Sequence, residues 1–204
     1  MNPGKTTLIL LAALLLATAS CDEDSEFDGG GDSDSDSDSD SDGDADCDAS
    51  GDGYWQADWA ALECEVLELT NEARAQGADC GTEGAFAPAP PLEMQDQLRE
   101  AARYHSQDMG EREFFAHESP GGPNGDTMVD RIENAGYTDW QYLGENIAAG
   151  QTTAQEVVSG WLASDGHCSN LMSPDFEEIG IGYARVPGAP YQGIYWTQDF
   201  GTRF

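Results

Sequence analysis

Positive charge is scarce in this chain. Of 204 residues, 8 are Lys or Arg against 40 Asp or Glu, a formal net charge of −32. A surface of that sign repels a phosphate backbone, which argues against nucleic acid as a partner and makes cations the natural company. Long apolar runs are also lacking. The longest, Leu8 to Ala17, is ten residues and too short to span a bilayer. Histidine is confined to positions 105, 117 and 167, so any imidazole chemistry rests on three side chains. There is no internal repeat, no H-E-x-x-H helix motif and no nucleophile elbow, which removes the simplest routes to a zinc protease or a serine hydrolase.

What is present begins with an export signal. Lys5 precedes the ten-residue run, the layout of a secretory n-region and h-region. Two cleavage readings compete. Ala17-Thr18-Ala19 fits ordinary signal peptidase, and Thr18-Ala19-Ser20-Cys21 resembles a lipobox, with Thr18 where Leu is usual. Cysteine parity favours the second. Of Cys21, Cys47, Cys64, Cys80 and Cys168, lipidation of Cys21 leaves four, an even number suited to two disulfides outside the cytoplasm. The expectation is therefore a lipoprotein-type signal over 1–20 and a protein exported to the cell envelope on a lipid anchor, with simple secretion as the alternative.

Residues 21–53 hold 15 acids and no Lys or Arg. With almost nothing to bury and like charges repelling, this segment is expected to be a disordered acidic tether. Asp38, Asp40, Asp42 and Gly43 match the first half of a calcium loop, but Ala49 stands where the bidentate Glu belongs. Weak Ca²⁺ binding on this linker is expected, without a dedicated site.

A globular domain is expected from Tyr54 to Phe204. Leu62, Val66, Leu69 and Ala73 recur at helical spacing, and Gly77 ends the run. A second helix presents Leu98, Ala101, Ala102, His105 and Met109 on one face, and a short third carries Met128, Val129 and Ile132. Thr153-x-x-Glu156 is a capping box opening a fourth, with Val157, Val158, Trp161 and Leu162 inward. The last segment changes period: 179–186 and 191–200 read as two strands around a turn at 187–190, with "GENIAAG" as a further short strand or loop. Helices first and a hairpin last make the class α+β.

His105, on an apolar helix face, reads as a buried, hydrogen-bonded core residue. His117 lies in a Gly- and Pro-containing loop, where functional residues gather. His167 follows Gly166 at the expected end of the fourth helix, where a cationic cap is the plain reading. Its neighbour Cys168 raises a choice between a Cys–His catalytic pair, two metal ligands, and a disulfide beside a functional histidine. Glu145 borders the apolar Ile147, Ala148 and Ala149, and an acid in that setting is usually partnered.

Seven stretches then occur in order: "LELTNEAR", "AARYHSQDM", "FFAHESPGG", "GENIAAG", "WLASDGHCSNLM", "IGIGYA" and "YWTQDFG". Together they resemble the CAP superfamily of cysteine-rich secretory, antigen 5 and pathogenesis-related 1 proteins, in its bacterial SCP-like branch, over residues 60–204. The resemblance implies an α-β-α sandwich with a central antiparallel sheet and an open cleft. By motif, His117 and His167 would be its two histidines and Glu145 its acid, a chemically reasonable set for Zn²⁺ or another divalent cation. Asn146 and Ser164 would lie in the same cleft. Many eukaryotic members carry a second Glu where Ser164 stands. Cys168 is expected in a disulfide, with Cys80 the preferred partner and Cys47 left for Cys64, although four cysteines allow three pairings. The function expected is a monomeric binding module for a metal, a lipid or sterol, or a peptide. A metal-dependent hydrolase with Glu145 as ligand or base, or a structural envelope protein, is the alternative. A Ser-His-Glu arrangement would have to draw on Ser119 or Ser164.

Overall fold

The computed structural model describes residues 47–51 and 53–204. The expected signal segment, the lipidation candidate Cys21, the calcium-like Asp run and most of the expected acidic tether lie outside these residues. Among the described residues no helix is long and apolar enough to cross a membrane.

The described residues form five α-helices, α1 (Ala57–Gln76), α2 (Asp96–Glu111), α3 (Met128–Asn134), α4 (Ala154–Leu162) and α5 (Asp165–Met172), and six strands, β1 (Ala78–Asp79), β2 (Ala85–Phe86), β3 (Glu93–Met94), β4 (Trp140–Ala149), β5 (Glu178–Arg185) and β6 (Ile194–Arg203). The main sheet has the order β3-β5-β6-β4. Its β5–β6 and β4–β6 pairings are antiparallel, and the two-residue β3 adds parallel to β5. Helices α1, α4 and α5 cover one face, and α2 and α3 cover the other. This is the α-β-α sandwich.

The alternation in "IGIGYA" explains how the layers fit. Ile179, Ile181 and Tyr183 point into the core shared with α1 and α4. Gly180 and Gly182 face α2, which lies directly on the strand. A Cβ on Gly180 would sit 1.9 Å from the Leu98 carbonyl carbon, and one on Gly182 would sit 2.2 Å from that of Ala102. These glycines are required by close backbone approach.

The buried face of α1 is more polar than its spacing predicts. Val66 and Leu67 are buried, but so are Glu63, Thr70 and Arg74. Each has a partner that only the tertiary fold supplies. Glu63 accepts from Arg99 Nε (2.8 Å), Arg103 Nη2 (2.7 Å), Trp55 Nε1 (2.8 Å) and the Tyr183 backbone N–H (3.1 Å). Arg74 donates to the carbonyls of Pro90, Leu171, Ser173 and Phe176, tying the end of α5 to α1. Thr70 accepts from Gln198 Nε2 of β6.

Disulfides join Cys47 to Cys64 and Cys80 to Cys168. The first, with the Asp48 carbonyl accepting from Arg99 Nη1, holds residues 47 and 48 against the domain whose start was expected at Tyr54. Two local expectations change. Thr153 caps the Glu156 N–H, but the Glu156 carboxylate turns to Thr152, so the full box is absent there and present instead at Thr127 and Asp130. The fourth helix also ends at Leu162, and a fifth starts at Asp165. His167 therefore stands in the first turn of α5, where a cationic C-terminal cap does not apply.

Candidate functional site

Strand β4 is one of the two edges of the main sheet, and the cleft opens beside it. The cleft has a volume of about 470 Å³ and is walled by His117, Glu145, Ser164, His167, Asn170 and Glu83. His117 arrives from the loop after α2. Glu145 comes from β4, and Ser164, His167 and Asn170 come from α5 or its cap. The two cleft histidines are thus set by layers on opposite sides of the sheet.

Glu145 is the centre of a buried polar cluster. Its side chain is 2% exposed. Oε1 is 2.7 Å from His117 Nδ1, and Oε2 accepts from Arg131 Nη2 at 2.5 Å. His105 Nε2 lies 3.9 Å from Oε2 but is hydrogen-bonded to the Ala116 carbonyl at 3.1 Å. That carbonyl requires the proton on Nε2, so Nδ1 is the acceptor, and the Ser119 hydroxyl meets it at 3.2 Å. Ser119, His105 and Glu145 follow one another like a catalytic triad. Yet Ser119 is 1% exposed and its histidine gives its proton to a carbonyl, so the hydroxyl is a core hydrogen-bond donor, not a nucleophile. Ser164 borders the cleft, with no histidine hydrogen-bonded to it among the described residues.

Asp199 and Arg131 complete the cluster. Asp199 on β6 is the direct cross-strand neighbour of Glu145, so the two side chains share a face of the sheet. It is fully buried, and among the described residues neither carboxyl oxygen meets a donor at hydrogen-bonding geometry; Arg131 Nε and Nη1 likewise have no acceptor there. Burial, reinforced by the Glu145 charge, pushes the Asp199 carboxyl well above the usual carboxylate range. Two adjacent buried carboxyls do not both ionise, and Glu145 is the one that does. Burial opposes its charge, but the hydrogen bond with His117 and the charge of Arg131 bring its pKa below the ordinary value.

The imidazoles diverge. His117 is raised, chiefly by its bond to Glu145. His167 is lowered by burial and by the charge of His117. His105 is pushed down to about 4 by burial. Asn146, expected in the cleft, is fully buried behind it. Its Nδ2 donates to the His167 carbonyl (3.1 Å) and to Gln198 (3.2 Å), fastening α5 to the sheet. Asn170 Nδ2 donates to the Glu145 carbonyl (3.2 Å) on the same strand edge.

Among the described residues, no three His, Cys, Asp or Glu side chains stand together as a ready metal site. The two imidazoles nevertheless fit one chemically. Glu145 occupies Nδ1 of His117, which leaves Nε2, and burial lowers the pKa of His167, favouring the neutral imidazole a metal needs. Glu145 itself, expected as the third donor, has both oxygens engaged.

The CAP model, described as the cysteine-rich secretory protein family, matches residues 67–200. The chain belongs to the CAP family. Within it, the Bacillus subtilis (strain 168) protein YkwD is 38% identical over 144 residues, covering 69% of this chain and 47% of YkwD. The membrane protein YlbC of the same organism is 31% identical over 153 residues, covering 75% of this chain and 38% of YlbC. The CAP chain thus spans less than half of either relative. An extracellular SCP-domain protein from Bacillus anthracis str. Ames superposes with a TM-score of 0.56 at 28% identity, over 70% of this chain and 41% of that one. An outer surface protein from Borrelia burgdorferi shares the fold, with a TM-score of 0.52 at 22% identity, over 71% of this chain and 91% of that one. The domain is of the bacterial SCP type.

Sequence reasoning passed over Arg131, Asp199 and Glu83. Asp199 carried a signal: it interrupts "YWTQDF", a segment rich in aromatics, where a charge is unexpected. Arg131 adjoins Ile132 on the inner side of a short helix, and its spacing alone does not set it apart from a surface arginine.

Proposed function

We propose that this CAP domain is a binding module of the cell envelope and that its cleft takes a divalent cation through His117 and His167. The observation that carries this reading is the 2.7 Å bond between Glu145 and His117 Nδ1. A carboxylate behind an imidazole fixes the ring and its tautomer and presents the other nitrogen, the arrangement found behind metal-bound histidines. Glu145 is then a positioning group and not a direct ligand or a free base. A bound ion would supply Lewis acidity to whatever small molecule or peptide shares the cleft. The engaged carboxylate and the buried Ser119 favour binding over hydrolysis. Export to the envelope is supported by the two disulfides, and lipid attachment by Cys21, the one cysteine outside them.

The test is Zn²⁺ calorimetry on the full chain, comparing wild type with His117→Ala/His167→Ala. Carboxylates of the acidic segment contribute equally to both. A one-to-one component present only in the wild type is expected, and it strengthens between pH 6 and pH 8 because protons compete for His117, whose pKa is raised. Identical isotherms would refute the reading.

A further inference from the structure

One wall of the cleft is unexplained by any family motif. It is a single 3₁₀ turn, Gly81–Glu83, lying between the short strands β1 and β2. Two features fix this turn to the start of α5. The Cys80–Cys168 disulfide joins the residue before the turn to the residue after His167. Asp165, the first residue of α5, accepts from both Thr82 Oγ1 (2.6 Å) and the Thr82 N–H (3.0 Å). The packing is tight as well: a Cβ on Gly81 would lie 2.5 Å from the Asp165 carboxylate. Glu83 and His167 are therefore carried by two segments locked into one unit, and both face the same cleft.

The two cleft carboxylates differ in what they can do. Glu145 is buried and spends both oxygens on His117 and Arg131. Glu83 is exposed, and its carboxylate makes no hydrogen bond or ion pair among the described residues. It is the carboxylate of this cleft that is free to meet a ligand. No carboxylate stands at position 164, but one stands at the rim, brought from a different element by the disulfide.

We propose that Glu83 sets the charge preference of the cleft from its rim and selects for positively charged ligands, of which a divalent cation is the simplest. This rests on the reading that His117 and His167 bind such a cation, and it adds the residue that sets charge preference. An exposed carboxylate facing an ion across a partly solvated cleft strengthens binding by a modest factor, about three- to tenfold. It contributes nothing to the binding of a neutral ligand.

The experiment is Zn²⁺ calorimetry on the full chain, comparing wild type, Glu83→Gln and Glu83→Asp, with the isotherm of the double histidine variant subtracted. Glu83 is exposed and its carboxylate unpartnered among the described residues, so the substitutions leave the fold intact. Glu83→Gln is expected to weaken the one-to-one component about three- to tenfold, and Glu83→Asp to restore part of it. Unchanged affinity in Glu83→Gln, with binding still lost in the histidine variant, would overturn this inference alone. A wild type without a one-to-one component would overturn both it and the reading beneath it.

Discussion

Replacing Glu145 by alanine is expected to cost about 3–5 kcal/mol of stability, a large share of what a domain of this size has. The reason lies in what is left behind. Arg131 is 2% exposed, its Nη2 pairs with Glu145, and its Nε and Nη1 have no protein partner among the described residues. Without the carboxylate, a guanidinium is stranded in the interior with no counter-charge beside it. Asp199 offsets part of the loss, because removing the neighbouring charge makes its own ionisation easier.

Glu145→Gln separates the fold from the site. The amide keeps the shape and can still accept from Arg131. Its NH₂ then faces His117 Nδ1, so the proton moves to Nε2 and the nitrogen offered to a metal is blocked. The expectation is a smaller loss in the urea midpoint than for alanine, together with loss of one-to-one Zn²⁺ binding. Chemical denaturation and calorimetry on the same two variants check both. A Glu145→Ala protein as stable as wild type would show that Arg131 finds other partners and that the cluster is not as described.

Acid is expected to destabilise the domain through His105. Burial holds its pKa at about 4, against 6.5 for an unperturbed imidazole. Between those values the unfolded chain takes up a proton that the native protein refuses, so stability falls as pH drops through that window. The size of the shift corresponds to roughly 3 kcal/mol, all of it still present above pH 6.5. Glu145, with its depressed pKa, adds to the acid loss at lower pH, whereas Asp199 and His117, both raised, bind protons more readily in the native state and oppose it. The comparison that isolates His105 is His105→Gln, whose amide can still donate to the Ala116 carbonyl. Urea unfolding at about pH 7, 5.5 and 4.5 is expected to show wild type losing more stability than the variant. Parallel profiles would mean that His105 accepts its proton at little cost.

The helical and strand periods of the chain carried most of the fold. The spacing of Leu98, Ala101, Ala102 and Met109 marked the inner face of α2, and the β-branched and aromatic run after residue 178 marked the central strands. Two features were illegible for physical reasons. The break between α4 and α5 occupies Ala163 and Ser164, and a pattern read in windows of three or four turns passes over so short a gap. The polar face of α1 conflicted with its apolar spacing because Glu63, Thr70 and Arg74 are satisfied by residues far along the chain. At the site, His117, His167 and Glu145 were recognisable by motif. That both oxygens of Glu145 are engaged was not, since it depends on Arg131 and His117 arriving at opposite oxygens.

The central claim is that His117 and His167 form the cation-binding pair while His105 stays in the core. The direct measurement is a Zn²⁺ titration of the full chain followed by the histidine ring resonances in NMR. The account predicts that the signals of His117 and His167 shift together and saturate at one equivalent, with His105 unchanged. Rings that stay fixed while the metal is taken up elsewhere, or a shift of His117 alone, would contradict it.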